Sequence, residues 1–338
     1  MEDPGSKVKG MRVNGRDMQI FDELGRMKLL TARQIGALFF VRPLRSSWDV
    51  DKCAAAARRR ISILKRNEYL KSAYVPGDTP EKCYFLGPSA VALLKSDEEE
   101  HLHTPRYAER KETYAINSAR HDLPLNSFII NLMLLEKVRD DFVLSEFRGE
   151  REMNFKVERD KSSFRPDSYL RGGIGKGERA CFMELHRGAV NASRIETKLY
   201  GYAQFVRTGM KKLLAITYNP VYCWLVPDTD RLVKVATCKR SFKIKYSQAY
   251  PWLSKGFFYL ATDKDIEIRS IDSGRLTENP LHNRYWLNEN LSRFQSPFRF
   301  DDKEPSPRNV SMILRHLPSE FKEVPPPSSR PRATASAD

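Results

Sequence analysis

The chain has 338 residues, 41% of them hydrophobic and 30% charged, with 58 Lys+Arg against 43 Asp+Glu for a formal net charge of +15. The length suggests two domains, each with its own core, and the positive excess points to a polyanionic partner. No apolar run approaches the ~20 residues that span a bilayer, and the opening MEDPGSKVKG has no signal-peptide core. Nucleic acid is therefore favoured over a membrane surface, in a cytoplasmic setting. Cys53, Cys83, Cys181, Cys223 and Cys238 are odd in number, widely spaced and set among apolar neighbours, the pattern of reduced thiols rather than a zinc knuckle.

Residues 1–14 are expected to be a flexible N-terminus. From Arg16 to Leu30 the residues Met18, Ile20, Phe21, Leu24, Met27 and Leu30 recur at helical spacing, and Thr31 can cap a second helix, TARQIGALFF. After a loop containing Pro43, a third helix opens near Asp51. Its stripe Ala54, Ala57, Ile61 and Leu64 predicts a buried face, which turns Arg59, Ser62 and Arg66 outward, flanked by Arg58, Arg60 and Lys65. Two β-like runs around Pro76-Gly77-Asp78 read as a hairpin. Three helices and a hairpin follow the order of a winged helix-turn-helix. In that arrangement the third helix enters the major groove of double-stranded DNA and the hairpin touches the backbone. A solvated basic helix is the plainer alternative. The helix order, the wing and the overall charge together favour DNA. This domain is placed at 15–95, with PSAVALLKS as its closing helix.

Residues 96–115 read as a polar linker. Within it His101 and His103 form an H-x-H pair beside the acidic run Asp97 to Glu100, a metal-binding possibility weighed below that of a simple linker. The second domain is placed at 116–300. It begins with a helix over about 124–139, carrying Leu125, Phe128, Ile129, Leu132 and Leu135, and continues with FVLSEFRG as a strand.

The segment SSFRPDSYLRGGIGKGERACFMELHRG, residues 162–188, predicts a hairpin. If the chain reverses between Gly175 and Lys176, Asp167 lies opposite Glu184. Arg165, Asp167, Tyr169, Phe182, Glu184 and His186 then share one face, and Phe164, Pro166, Leu170, Cys181, Met183 and Leu185 the other. A one-residue slip would bury the charges. Opposed carboxylates repel unless a cation lies between them. Either a divalent metal with oxygen ligands resolves the repulsion, or Arg165 and Lys176 neutralise the pair locally. GGIGKGER lacks the spacing of a phosphate loop and is read as the turn. Downstream, ASRIETKLYGYAQFV is a helix, KLLAITY, VYCWLVP and GFFYLAT are strands, and a further helix starts at Asp228. The tail, 301–338, is rich in Pro and Ser and is expected to be disordered.

A proline-aspartate, a hairpin, Glu184 followed at the second position by a basic residue, and then a helix resemble the core of the PD-(D/E)xK nuclease superfamily. More specifically, an N-terminal winged helix followed by His121, RPDSYL, FMELHRG and KLYGYAQF resembles the replication-relaxation family of plasmids and other mobile elements, over about residues 15–265. The resemblance implies a multi-domain α/β fold: a winged helix-turn-helix, then a restriction-endonuclease-like α/β core with a mixed sheet. It makes Asp167 and Glu184 ligands for Mg or Mn in a nuclease-like site. His186 stands where the nuclease pattern has lysine, and Lys198 on the following helix is the alternative source of that charge. Asp167, Glu184, His186 and Lys198 are thus the candidate catalytic set. Arg58, Arg59, Arg60, Ser62, Lys65 and Arg66 are the candidate DNA contacts. The leading expectation is a mobile-element DNA-binding protein acting in replication or relaxation. A metal-dependent DNA endonuclease and a transcriptional regulator with a non-catalytic second domain are the alternatives. A second copy of the chain and replication or mobilisation proteins are further candidate partners.

Overall fold

The computed structural model describes residues 11–41, 50–75, 81–96, 112–138, 142–153, 155–156, 163–174, 177–188, 190–208, 214, 220–250, 258–262 and 287–288. His101 and His103, Lys176, both predicted hairpin turns, most of KLLAITY, most of residues 263–300 and the tail 301–338 lie outside them.

The first helix, α1 (Gly15–Met27), starts at a reciprocal cap: the Asn14 side chain accepts from Asp17 N–H at 3.0 Å, and the Asp17 carboxylate accepts from Asn14 N–H at 2.9 Å. It buries Ile20, Phe21, Leu24 and Met27 and stops there, so Leu30 falls in a short strand, β1 (Leu30–Thr31), rather than in the predicted helix. Thr31 caps α2 (Ala32–Phe39) in the same way with Gln34. Helix α3 (Val50–Arg66) buries the expected stripe Ala54, Ala57, Ile61 and Leu64. It packs so closely on α2 that a Cβ at Gly36 would lie 2.7 Å from the Ala54 nitrogen, which is why glycine is needed there. Strands β2 (Leu70–Val75) and β3 (Glu81–Leu86) pair antiparallel and join β1 in the order β1-β3-β2, and α4 (Pro88–Ser96) closes the unit.

Helix α5 (Glu112–Val138) begins twelve residues before the predicted 124, inside what reads in sequence as linker. Its first half carries the short stripe Ile116, Ala119 and Leu123, which packs with Leu29, Ala73, Val75, Cys83 and Phe85 from the N-terminal unit. That contact sustains the helix through Pro124, which by itself suggests a helix start.

Strand β4 (Phe142–Gly149) follows, then a short two-stranded pair, β5 (Phe155–Lys156) with β6 (Ser163–Phe164), and the hairpin β7 (Ser168–Ile174) and β8 (Gly177–Leu185). Helix α6 (Ala192–Thr208) leads to β9 (Val221–Val226), and α7 (Thr229–Tyr246), capped by Asp228, leads to β10 (Phe258–Thr262) and β11 (Leu287–Asn288). The mixed sheet has the order β11-β10-β9-β8-β7-β4. Its β4, β7 and β8 are antiparallel, while β8, β9 and β10 run parallel with α6 and α7 as crossovers.

The hairpin register is the expected one, Ser168 opposite Met183 and Tyr169 opposite Phe182. Two details differ. Phe164 belongs to β6 and packs against Phe182 at 5.1 Å between ring centroids, on the Tyr169 side rather than the Leu170 side, because the chain bends at Pro166-Asp167 and breaks the pleat alternation. Both faces of the sheet are also apolar. Leu170, Cys181, Met183, Cys223 and Leu225 face one core, and Tyr169, Phe182, Tyr222 and Trp224 face another lined by α6 and α7. The first of these cores is continuous with Ile20, Phe21, Ile35 and Ile61, so the two units share it, while the second is built from residues 153–250 alone. All five cysteines are free thiols, and no helix among the described residues is long and apolar enough to cross a membrane.

Candidate functional site

Two surfaces carry the residues singled out in the sequence. On α3, opposite its buried stripe, Arg58, Arg59, Ser62 and Arg66 are exposed, and Lys65 is half-buried. Arg60 is different. Its Nε donates to Asp17 Oδ1 at 2.8 Å and its guanidinium donates to Arg12 O at 3.2 Å, so it neutralises a fully buried carboxylate on α1. The hydrogen bond to Asp17 raises the Arg60 pKa. On the adjoining hairpin Lys71 is exposed, and Tyr74 is 59% exposed with Lys82 Nζ 4.9 Å from its ring centroid.

The second surface is built around Asp167 and Glu184. Asp167 occupies the bend before β7, where its N–H donates to Met183 O at 3.0 Å. Its Oδ2 accepts from Leu185 N–H at 2.7 Å and from His121 Nε2 at 3.0 Å. Glu184, on β8 and 1% exposed, forms an ion pair with Lys198 and accepts from the Tyr222 hydroxyl at 3.2 Å. Lys198 reaches it from α6, its Nζ 5.9 Å from the centroid of the Trp224 ring. The structure thus brings Asp167, Glu184 and Lys198 into one cluster. His186 follows β8, donates its N–H to Leu225 O at 2.8 Å and packs its ring 5.8 Å from Trp224. The cation on Glu184 is Lys198.

The cation on Asp167 is His121, a residue of the family resemblance to which sequence reasoning gave no role. Its Nδ1 lies 3.1 Å from Asp122 Oδ1. With a carboxylate at each ring nitrogen, both nitrogens must donate, so the ring is an imidazolium. Burial pulls its pKa down, but the hydrogen bonds to Asp122 and Asp167 prevail and raise it to about 10. Asp122 shares the same Oδ1 with Lys28 Nζ at 3.2 Å, and Lys28 also pairs with Glu150. Burial raises the Asp167 carboxyl, yet His121, the Lys198 charge and the Leu185 N–H outweigh it and the net shift is downward. The Lys198 pKa is lowered by desolvation against the pull of Asp167 and Glu150.

Arg165 is not the neutralising partner expected from sequence. Its guanidinium sits 3.0 Å from Glu150, and each carboxylate takes a cation from a distant helix instead. This decides how well a divalent ion fits. The hard oxygen donors of Asp167 and Glu184 suit Mg or Mn, but Oδ2 of Asp167 and both oxygens of Glu184 already receive donors. Among the described residues no group of three or more His, Cys, Asp or Glu could hold a metal. An ion shared by the two carboxylates fits only where a donor on Glu184, Lys198 or Tyr222, gives up its oxygen. As it stands it is a closed network in which His121 cannot act as a base, because both ring nitrogens carry protons.

In comparison with known proteins, the family model described as replication-relaxation matches residues 21–215, from within α1 to beyond α6, and so includes both surfaces. No curated protein and no solved structure matches the chain.

Proposed function

Because the chain belongs to the replication-relaxation family, we propose that it is a DNA-binding protein of a plasmid or other mobile element, acting in replication or relaxation by docking on duplex DNA through a winged helix. The observation that carries this reading is the exposed cationic face Arg58, Arg59, Ser62 and Arg66, set opposite a fully buried stripe on α3 and beside a hairpin that offers Lys71, Tyr74 and Lys82. Helix α3 is the recognition helix, the β2–β3 hairpin is the wing, and the net charge of +15 draws the whole chain to a polyanion. Arg60 contributes through the fold, by holding α1 against α3.

The test is a duplex-binding titration from low to moderate salt. Arg59→Ala with Arg66→Ala weakens binding and, with both side chains on phosphates, flattens the log-log salt slope by about two units. Unchanged affinity and slope would remove α3 from the interface.

A second reading has its own observation. Asp167, a hairpin, Glu184 and a helix bearing Lys198 follow the succession on which the PD-(D/E)xK resemblance rests, and Lys198 pairs with Glu184 while its charge acts on Asp167. On that reading the second domain is a nuclease-like core in which Lys198 takes the place of the pattern's lysine. Supercoiled and linear plasmid incubated with the protein and Mg²⁺ or Mn²⁺, beside Asp167→Ala, tests it. Cleavage lost in the variant supports an endonuclease, and no cleavage in the parent leaves a DNA-binding protein with a non-catalytic core.

A further inference from the structure

We propose that Lys28 is a positioning residue for the carboxylate site: from the end of α1 it fixes, through Asp122, the orientation in which His121 meets Asp167. The inference rests on reading Asp167 and Glu184 as the working site.

The backbone at Lys28 is the first observation. Its φ of 72° and ψ of −47° place a non-glycine residue in a sparsely populated region, in a γ-turn closed by Leu29 N–H donating to Met27 O at 2.8 Å. Glycine would adopt that conformation with less strain. A lysine there points to a need for its side chain. Asn126 on α5 donates to Met27 O at 2.9 Å and to Leu29 O at 2.7 Å, gripping the turn on both sides of Lys28 without using its ammonium.

The second observation is where the ammonium goes. The Lys28 side chain is 8% exposed and its Nζ lies between Asp122 and Glu150. Asp122 Oδ1 receives both Lys28 and His121 Nδ1, while Asp122 Oδ2 has no hydrogen-bond partner among the described residues. One oxygen therefore holds two cations. The rotation of that carboxylate sets the tilt of the His121 ring, whose other nitrogen reaches Asp167. Without the ammonium Asp122 can turn to present either oxygen, and the ring loses its fixed aim at Asp167. Glu150 braces the arrangement from the far side, itself held by Arg165 at 3.0 Å. The path Lys28, Asp122, His121, Asp167 runs from the unit that carries α3 to the mouth of the sheet.

A measurement on the DNA-free, metal-free full chain tests this. With ¹⁵N-labelled histidine, the ring N–H signals of His121 are assigned by their loss in His121→Asn. In the parent both ring protons, held by carboxylates, exchange slowly enough to be seen. Lys28→Met, at a temperature where circular dichroism shows it folded, loses or broadens them, and Lys28→Arg restores them. Lys28→Gly relieves the backbone, so it folds at least as well as Lys28→Met, yet it also lacks the signals. Folded Lys28→Met and Lys28→Gly proteins with unchanged His121 signals would overturn the proposal and leave Lys28 as an ion pair that serves stability alone. Since no DNA or metal enters the measurement, its failure is distinct from failure of the plasmid assay, which bears on the site itself.

Discussion

Replacing Lys198 by methionine removes the cation from Glu184 while keeping most of the apolar stem. Glu184 is 1% exposed and keeps only the Tyr222 hydroxyl as a side-chain donor among the described residues, so the substitution leaves a nearly uncompensated buried charge. Breaking a buried pair from one side costs about 3–5 kcal/mol. The Lys198 side chain is 42% exposed, so water approaches the pair from that side and the figure falls to roughly 1–3 kcal/mol. Glu184→Gln removes the charge but retains an acceptor for Tyr222 and lets the ammonium turn to solvent, for about 1 kcal/mol or less. In the double variant the buried charge is gone before its cation is removed. The two changes should then be non-additive by about 1–2 kcal/mol, with the second recovering part of the first. Urea unfolding of the four proteins, compared at equal m, measures this directly. The same set tests the metal question, because an ion shared by Asp167 and Glu184 needs a donor on Glu184, here Lys198, to leave before it can enter. Mn²⁺ should not raise the melting temperature of the parent and should raise that of Lys198→Met. A coupling energy within about 0.5 kcal/mol of zero would refute the Glu184–Lys198 pair, and Mn²⁺ stabilisation of the parent equal to that of Lys198→Met would refute the closed-network account of the site.

Two further predictions concern the sheet and the imidazolium. Met183, fully buried opposite Ser168, should tolerate no charge: Met183→Asp is expected to cost about 3–5 kcal/mol, and thermal unfolding equal to the parent would contradict the observed register. The His121 pKa is raised from 6.5 to about 10, so its contribution to stability is complete below pH 6.5 and is lost as pH climbs through 10, whereas Asp122 and Asp167, shifted down from 3.8, contribute above that value and lose their contribution in acid. Melting temperature followed from pH 6.5 to 10 should fall more steeply in the parent than in His121→Gln, and parallel curves would show that the ring is not held as an imidazolium.

Local pattern made the hairpin and α3 readable. In β7 and β8 the pleat puts Leu170, Cys181 and Met183 on one side, and only one register keeps them together against an apolar layer. On α3 four small and aliphatic residues define one face, so the outward arginines follow from geometry alone. The start of α5 was hidden because Ile116, Ala119 and Leu123 are three apolar positions in a polar stretch, and their partners Ala73 and Phe85 lie some forty residues upstream. The same separation hid the cations. Arg165 is two residues from Asp167 and looked like its relief, whereas the charge that reaches Asp167 comes from His121 on another element and the one on Glu184 from Lys198. Sequence proximity is a poor guide to ion pairing when a bend such as Pro166-Asp167 turns neighbouring side chains apart. Arg60 shows the converse: in sequence it is one more cation flanking the outward face, and only the packing of α1 reveals that it serves Asp17.

The ionic cluster is not what holds the two units together. Ile20, Phe21, Ile61, Phe128, Met183 and Leu225 belong to one apolar core that already joins the N-terminal helices, α5 and the sheet. Burial of that surface provides the adhesion at roughly 25 cal/mol per Å², and a buried ion pair in the same place is often no more stabilising than apolar side chains of equal volume. What apolar contact does not supply is direction. Lys28 comes from α1, His121 and Asp122 from α5, Asp167 from the bend before β7 and Lys198 from α6, so every ion pair of the cluster except the adjacent His121–Asp122 couples different segments. Each pair has a narrow range of acceptable geometry, and together they restrict how the end of α1, α5, α6 and the strands that carry the carboxylates can shift against one another. The strained turn at Lys28 belongs to this restriction, since a conformation that costs stability persists only where its surroundings over-determine it. In such a protein the polar network defines a geometry that the apolar core alone would leave loose, and substitutions in it should alter the aim of the site as well as the stability of the fold.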